Sequence, residues 1–161
     1  MGRVYTVAID NVTVTNAGGD SDILELTLGD DRPIEIMGWH LAVTSETGDA
    51  AEEFIRYKLI SGHATSGSTP EATPTLRAAD TAMDGVAATT TAEVENATIA
   101  SAGTAIDRFA GAFNVRSGEW VMLPKEFRFK FDQSDTLAVF RIMNTVADDV
   151  SVSGTVWIEE L

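Results

Sequence analysis

Val150-Ser151-Val152-Ser153-Gly154-Thr155-Val156-Trp157-Ile158 carries an apolar residue or glycine at every second position and a hydroxyl or Trp157 between them. A period of two is the signature of a β-strand with one buried face. A helix would need apolar residues three and four apart.

Working outward, the same period recurs. Tyr5, Val7 and Ile9 alternate with smaller partners, and Val12 and Val14 continue after Asp10-Asn11. Leu24, Leu26 and Leu28 alternate with Glu25 and Thr27, which predicts one apolar and one wet face. Ile55, Tyr57 and Leu59 alternate with Arg56 and Lys58, and Phe127, Phe129 and Phe131 with Arg128 and Lys130. Ile34 and Ile36 have one parity, Trp39, Leu41 and Val43 the other. A bulge at Met37-Gly38 would return both sets to one core face. Leu137 to Met143 is nearly continuous apolar, interrupted by Arg141, and reads as a strand covered on both sides.

Asn16-Ala17-Gly18-Gly19-Asp20 and Gly29-Asp30-Asp31 are turn sequences. Helical signals are thin: one capped turn over Asp49–Glu53 and a weak cap at Thr104 with Asp107. Short strands at short intervals predict an antiparallel sandwich or barrel.

Ser61 to Ala105 stands apart. About two-thirds of it is Ala, Thr, Ser or Gly, with Pro70 and Pro74. The flanking strands need each other, so this is an excursion inside one domain spanning residues 1–161. A structureless loop of that length is improbable in a compact domain. We expect an extended arm, residues 61–105, with a strand over Thr90–Ile99 and the rest flat on its own domain or on a neighbouring subunit.

The chain has 161 residues, 25 acidic and 11 basic side chains, a net charge of −14 and no cysteine. That charge opposes nucleic-acid binding, which needs a basic face, and no apolar run is long enough for a membrane helix. Without cysteine there is no disulfide scaffold, thiolate metal site or thiol catalysis.

Catalytic patterns are missing. Gly62 to Thr69 has P-loop glycine spacing but carries Ser68 where the lysine belongs. His40 and His63 are the two histidines, without metalloprotease spacing, and His40 falls opposite the core set. Asp20-Ser21-Asp22 could seed a calcium loop but lacks the later Gly and Glu. The acid pairs sit at expected turns and ends, as solvated charge. No enzyme activity, metal or cofactor is expected. The more telling residues are apolar groups on wet faces: Trp157 on the Ser/Thr face, Phe54 and Ile60 on the Arg56/Lys58 face, and Trp120 after Gly118-Glu119. With His63 they form the candidate interface set, since aromatics concentrate at interface cores.

Gly2-Arg3-Val4-Tyr5-Thr6-Val7, Asp30-Asp31-Arg32-Pro33-Ile34, Gly48-Asp49-Ala50-Ala51-Glu52-Glu53 and Arg56-Tyr57-Lys58-Leu59-Ile60-Ser61-Gly62-His63 follow one another in order. Thr91-Ala92-Glu93-Val94, Ala100-Ser101-Ala102-Gly103-Thr104, Phe113-Asn114-Val115-Arg116 and Ser153-Gly154-Thr155-Val156-Trp157-Ile158-Glu159-Glu160 complete the string. It resembles a family of small, mostly uncharacterised proteins of tailed bacteriophages. The resemblance implies an all-β, jelly-roll-like antiparallel sandwich that becomes part of the virion. It implies a capsid decoration (cement) protein, a homotrimer bound to the major capsid protein of the head shell. Alternatives are a tail or head-to-tail component, or a glycan- or receptor-binding module.

Overall fold

The computed structural model of the chain describes residues 2–29, 32–45, 53–80, 87–143 and 146–161. Among these described residues, twelve strands form two antiparallel sheets: β1 (Arg3–Val14), β2 (Ser21–Thr27), β3 (Ile34–Val43), β4 (Phe54–Thr65), β5 (Pro70–Ala72), β6 (Arg77–Ala78), β7 (Thr91–Asn96), β8 (Ser101–Asn114), β9 (Glu119–Met122), β10 (Phe129–Phe131), β11 (Leu137–Ile142) and β12 (Val150–Glu160). The first sheet runs β10-β3-β12-β1-β6, with β9 also on β3; the second runs β5-β7-β2-β11-β4-β8.

The connectivity is that of a jelly roll. β1-β12-β3 with β9 and β10 faces β2-β11-β4-β8, and the chain alternates between the sheets except from β4 to β8, which pair within the second. The alternating side chains explain why. Tyr5, Val7, Ile9, Ile34, Ile36, Trp39, Leu41, Val156 and Ile158 of the first sheet meet Leu24, Leu26, Ile55, Tyr57, Leu59 and Phe140 of the second in one core. Trp39 sits at its centre in edge-on contact with Tyr57, Phe109 and Phe140, its ring centroid 5.2–6.2 Å from theirs.

Two irregularities keep the inward set inward. The β3–β12 register steps from Gly38↔Trp157 to Ile36↔Ile158, so Met37 is the extra residue and the expected bulge is present. A second bulge lies in β1 between Ile9 and Val12, where Asn11 has φ 54° and its N–H donates to Ser153 Oγ at 2.9 Å.

Three expectations need correction. β2 has no wet face: Asp22 and Glu25 are as buried as Leu24. Thr104–Asp107 caps no helix, because β8 runs through it. The 61–105 segment lies on its own domain wherever it is described, one of the two placements expected, but the inserted part is shorter than those bounds. Its first residues finish β4, its last begin β8, and β7 extends the second sheet through β2, as the expected strand over Thr90–Ile99 should. What is inserted, residues 66–90, lies on its own domain through β5 on β7 and β6 on β1 wherever it is described. Most of the turn expected at Asp49–Glu53, and Asp30-Asp31, fall outside the described residues.

β11 is buried along its whole length, as expected for a doubly covered strand. Its second cover is the chain itself. Segments 66–69 and 97–100 run together over the outer face of the second sheet, joined by Ala97 N–H to Ser68 O (2.9 Å) and Ser68 N–H to Thr98 Oγ1 (3.0 Å). Ala100 packs there with Ile60, Leu137 and Val139.

Candidate functional site: the outer face of the first sheet

Among the described residues no segment covers the outer face of the first sheet in this way. On β9, Glu119 points inward, where its carboxylate accepts from the Tyr57 hydroxyl, which in turn accepts from Trp39 Nε1 at 2.8 Å. Strand alternation therefore sends Trp120 and Met122 outward, where they are 65% and 51% exposed. Burial pushes the Tyr57 hydroxyl far above its ordinary range, and the hydrogen bond and charge of Glu119 push it the same way.

Trp157 on β12 faces Gly38 on β3, and Gly38 faces Met122 on β9. Gly38 has no side chain to separate its neighbours. A Cβ there would stand 2.4 Å from Val121 O and 2.7 Å from Met122 Sδ. The Trp157 ring thus reaches across β3 to Trp120, centroids 5.2 Å apart and planes inclined by 38°. His40, opposite Trp120 in the ladder, completes the patch at 5.4 Å. Phe127, 70% exposed, lies on the connection from β9 to β10 along the same sheet edge. Exposed apolar side chains are ordinary when single and informative when contiguous.

The five expected interface residues therefore divide. Trp120 and Trp157 come together. Phe54 is 61% exposed but points outward from the second sheet, away from them. Ile60 is covered by the chain's own Ala100 segment, because the expectation could not see that the insert folds back over β4. His63 is also buried, its Nδ1 3.3 Å from Ala102 O. His40 and His63 stand on different sheets. Met122 and His40 join the patch without having been expected in it. Strand alternation from Trp120 would have found Met122.

The acidic residues are less solvated than their turn positions implied. Asp22 is held by Arg141: Nε and Nη2 donate to its two oxygens at 2.5 and 2.9 Å. Ala100 N–H donates to Asp22 at 2.6 Å, and Arg141 donates to Ala100 O at 3.0 Å. Burial works against the charged guanidinium, but the hydrogen bonds and charge of Asp22 outweigh it and raise the Arg141 pKa. With Asp22 engaged in this way, Asp20-Ser21-Asp22 does not form a calcium loop. Glu160 is buried and accepts from Thr89 and Thr90 N–H, both at 2.8 Å. Among the described residues no group of three or more acidic or histidine side chains is placed to hold a metal ion. A cleft of about 770 Å³ at the β1–β2 turn is lined by Thr13, Asp20, Glu71, Glu95 and Asn96.

Comparison of the chain with protein-family models, curated proteins and solved structures finds no match.

Proposed function

We propose that this chain is a structural subunit of a bacteriophage virion, a capsid decoration protein that binds the major capsid protein of the head shell as a homotrimer. The observation carrying the reading is the open aromatic face of the first sheet: Trp120, Met122 and Trp157 in contact or adjacent in the ladder, with no chain segment described over them. Over β2 and β11 the second sheet's outer face is covered by the chain's own segments 66–69 and 97–100, whereas no described segment covers the aromatic patch of the first, which leaves it open to a partner. The sequence resemblance to tailed-phage proteins supplies the particle. Jelly rolls serve in viral capsids and in lectins alike, so the fold agrees without deciding.

The same patch favours one second reading. Two tilted indole rings beside the Thr155 hydroxyl and the His40 imidazole could stack on sugar rings, as in a glycan-binding tail module.

Trp120→Ser tests both. On the first reading, the wild-type chain sediments above one protomer and is found by mass spectrometry in purified particles. The variant sediments as a monomer with an unchanged melting temperature. A wild-type monomer absent from particles refutes it. Glycan-array signals that vanish in Trp120→Ser would establish the second reading instead.

A further inference from the structure

Strand β7 carries Glu93 and Glu95, and each meets another glutamate across the ladder. Glu93 stands opposite Glu25 on β2. Glu95 stands opposite Glu71 on β5, whose neighbours Pro70 and Ala72 pair with Asn96 and Val94. Directly opposed like charges destabilise a sheet, yet both pairs are drawn together.

Ser66 Oγ lies 2.5 Å from Glu25 Oε2 and 2.8 Å from Glu93 Oε2. A serine hydroxyl has one hydrogen and an ionised carboxylate has none. Ser66 can donate to one carboxylate only, so the other contact needs a hydrogen on a carboxyl. Gly67 N–H also donates to Glu25, at 2.9 and 3.1 Å to its two oxygens. Glu71 and Glu95, opposed in the ladder beside the same cleft, would repel as two carboxylates, and a single proton held between them relieves that repulsion.

The surroundings do not neutralise these groups. The charged groups facing the first pair are Asp22 on β2 and Arg141 on β11, and the guanidinium is committed to Asp22 and Ala100 O. Asn96 Nδ2 reaches Glu93 at 3.5 Å. The second pair faces Thr13 of β1, which donates to Glu95, and shares its cleft with Asp20.

We propose that seating residues 66–72 on β2 and β7 takes up two protons, one at each glutamate pair, so that this cover is held tightly in mild acid and loosens towards neutral and alkaline pH. Burial raises Glu25 and Glu95 above the ordinary carboxylate value, outweighing the hydrogen bonds they accept, and the charges of Asp22 and Glu71 add to the rise. The sign follows. A carboxyl whose pKa is higher when folded stabilises the seated form below its unfolded value. That contribution is lost as pH rises through the folded value. The inference is independent of what the protein assembles with.

The test is hydrogen exchange of the full-length chain at the Gly67 amide and the β5–β7 ladder, corrected for intrinsic rates, from mild acid to mildly alkaline pH. Between the unfolded and folded pKa values the local opening constant should rise by up to about tenfold per pH unit for each proton released. Glu93→Gln and Glu71→Gln keep the shape and supply a permanent N–H. Each should remove one proton's share of that slope and raise protection at neutral pH, and the double variant should be flat. A flat wild-type profile, or variants that lose protection at neutral pH with the slope unchanged, overturns the proposal. So does calcium chloride restoring neutral-pH protection in the wild type, since a cation would then hold the carboxylates. Carboxyl ¹³C titration of the wild type needs no variant: all four glutamates ionised under a fully protected cover would refute it.

Discussion

Asp22→Asn tests how the chain holds its own cover in place. Asp22 and Arg141 face each other across the β2–β11 ladder, with side chains 0% and 9% exposed. Their ring of contacts includes both polar backbone groups of Ala100, where the chain crosses the sheet to begin β8. Asparagine keeps the shape but leaves the guanidinium buried without its counter-charge and offers one acceptor oxygen where three N–H groups converge. Removing one partner of a buried pair costs about 3–5 kcal/mol. For a domain of this size a melting temperature falls about 2–4 °C per kcal/mol, so the expected loss is roughly 6–20 °C. Urea unfolding should show a lower midpoint at constant slope, because the surface exposed on unfolding is unchanged. Hydrogen exchange should localise the loss to Ala100 and the first residues of β8. The double variant Asp22→Leu/Arg141→Met should recover most of it, because two apolar side chains leave no orphaned charge. A loss below about 1 kcal/mol, the range of an exposed pair, would refute the reasoning: the ring would then be open to water and Ala100 held by packing alone.

Two further outcomes follow from the first sheet and its edge. Tyr57→Phe strips Trp39 Nε1 of its acceptor and Glu119 of its donor, and should cost about 1–3 kcal/mol in urea unfolding. Because Tyr57 is raised above its ordinary value of 10.0, the folded state keeps a proton that the unfolded chain releases. Stability should therefore fall as pH rises above that value, and less so in Tyr57→Phe. Gly38→Ala places a Cβ against Val121 O and Met122 Sδ. It should cost about 1–3 kcal/mol through overpacking, detach β9 and quench or shift the Trp120 fluorescence. An unaltered spectrum would mean that β9 gives way without disturbing the tryptophan pair.

The strands were legible because their alternation is a local property. Val150–Ile158, Ile55–Leu59 and the Ile36/Trp39 parity switch each report a buried face from a few adjacent residues, and the structure agrees with all three. What alternation cannot report is a cover supplied from far along the chain. Glu25 looked wet because it alternates with Leu24 and Leu26. It is buried because Ser66 and Gly67, some forty positions away, supply hydrogens to it. Ile60 and His63 were misplaced for the same reason. The insert's small residues carried no apolar pattern, so its seat could not be read. Nor could the sequence show that Glu93 and Glu95 of β7 stand opposite Glu25 and Glu71 in the ladder.

The difference between the two outer faces carries the functional argument. A sheet buried on both sides reads as a nearly continuous apolar run, and β11 does so under the chain's own Ala100 segment. On the first sheet the outward positions of β12 and β3 are Ser, Thr, His, Glu35 and Glu159 with the small Ala42 and Gly38, as water-facing strands require. Trp157, Trp120 and Met122 are set into that polar field. A face evolved only to meet water gains nothing from an indole exposed as Trp120 is, packed on the half-buried Trp157, and the exposed ring costs solubility. A face covered from within would have lost its hydroxyls, as β11 has. An apolar centre in a polar surround matches a surface that is wet in the free protein and dry in a complex. The Trp120→Ser experiment is therefore the decisive one: it removes the centre and leaves both the core and the surrounding strands intact.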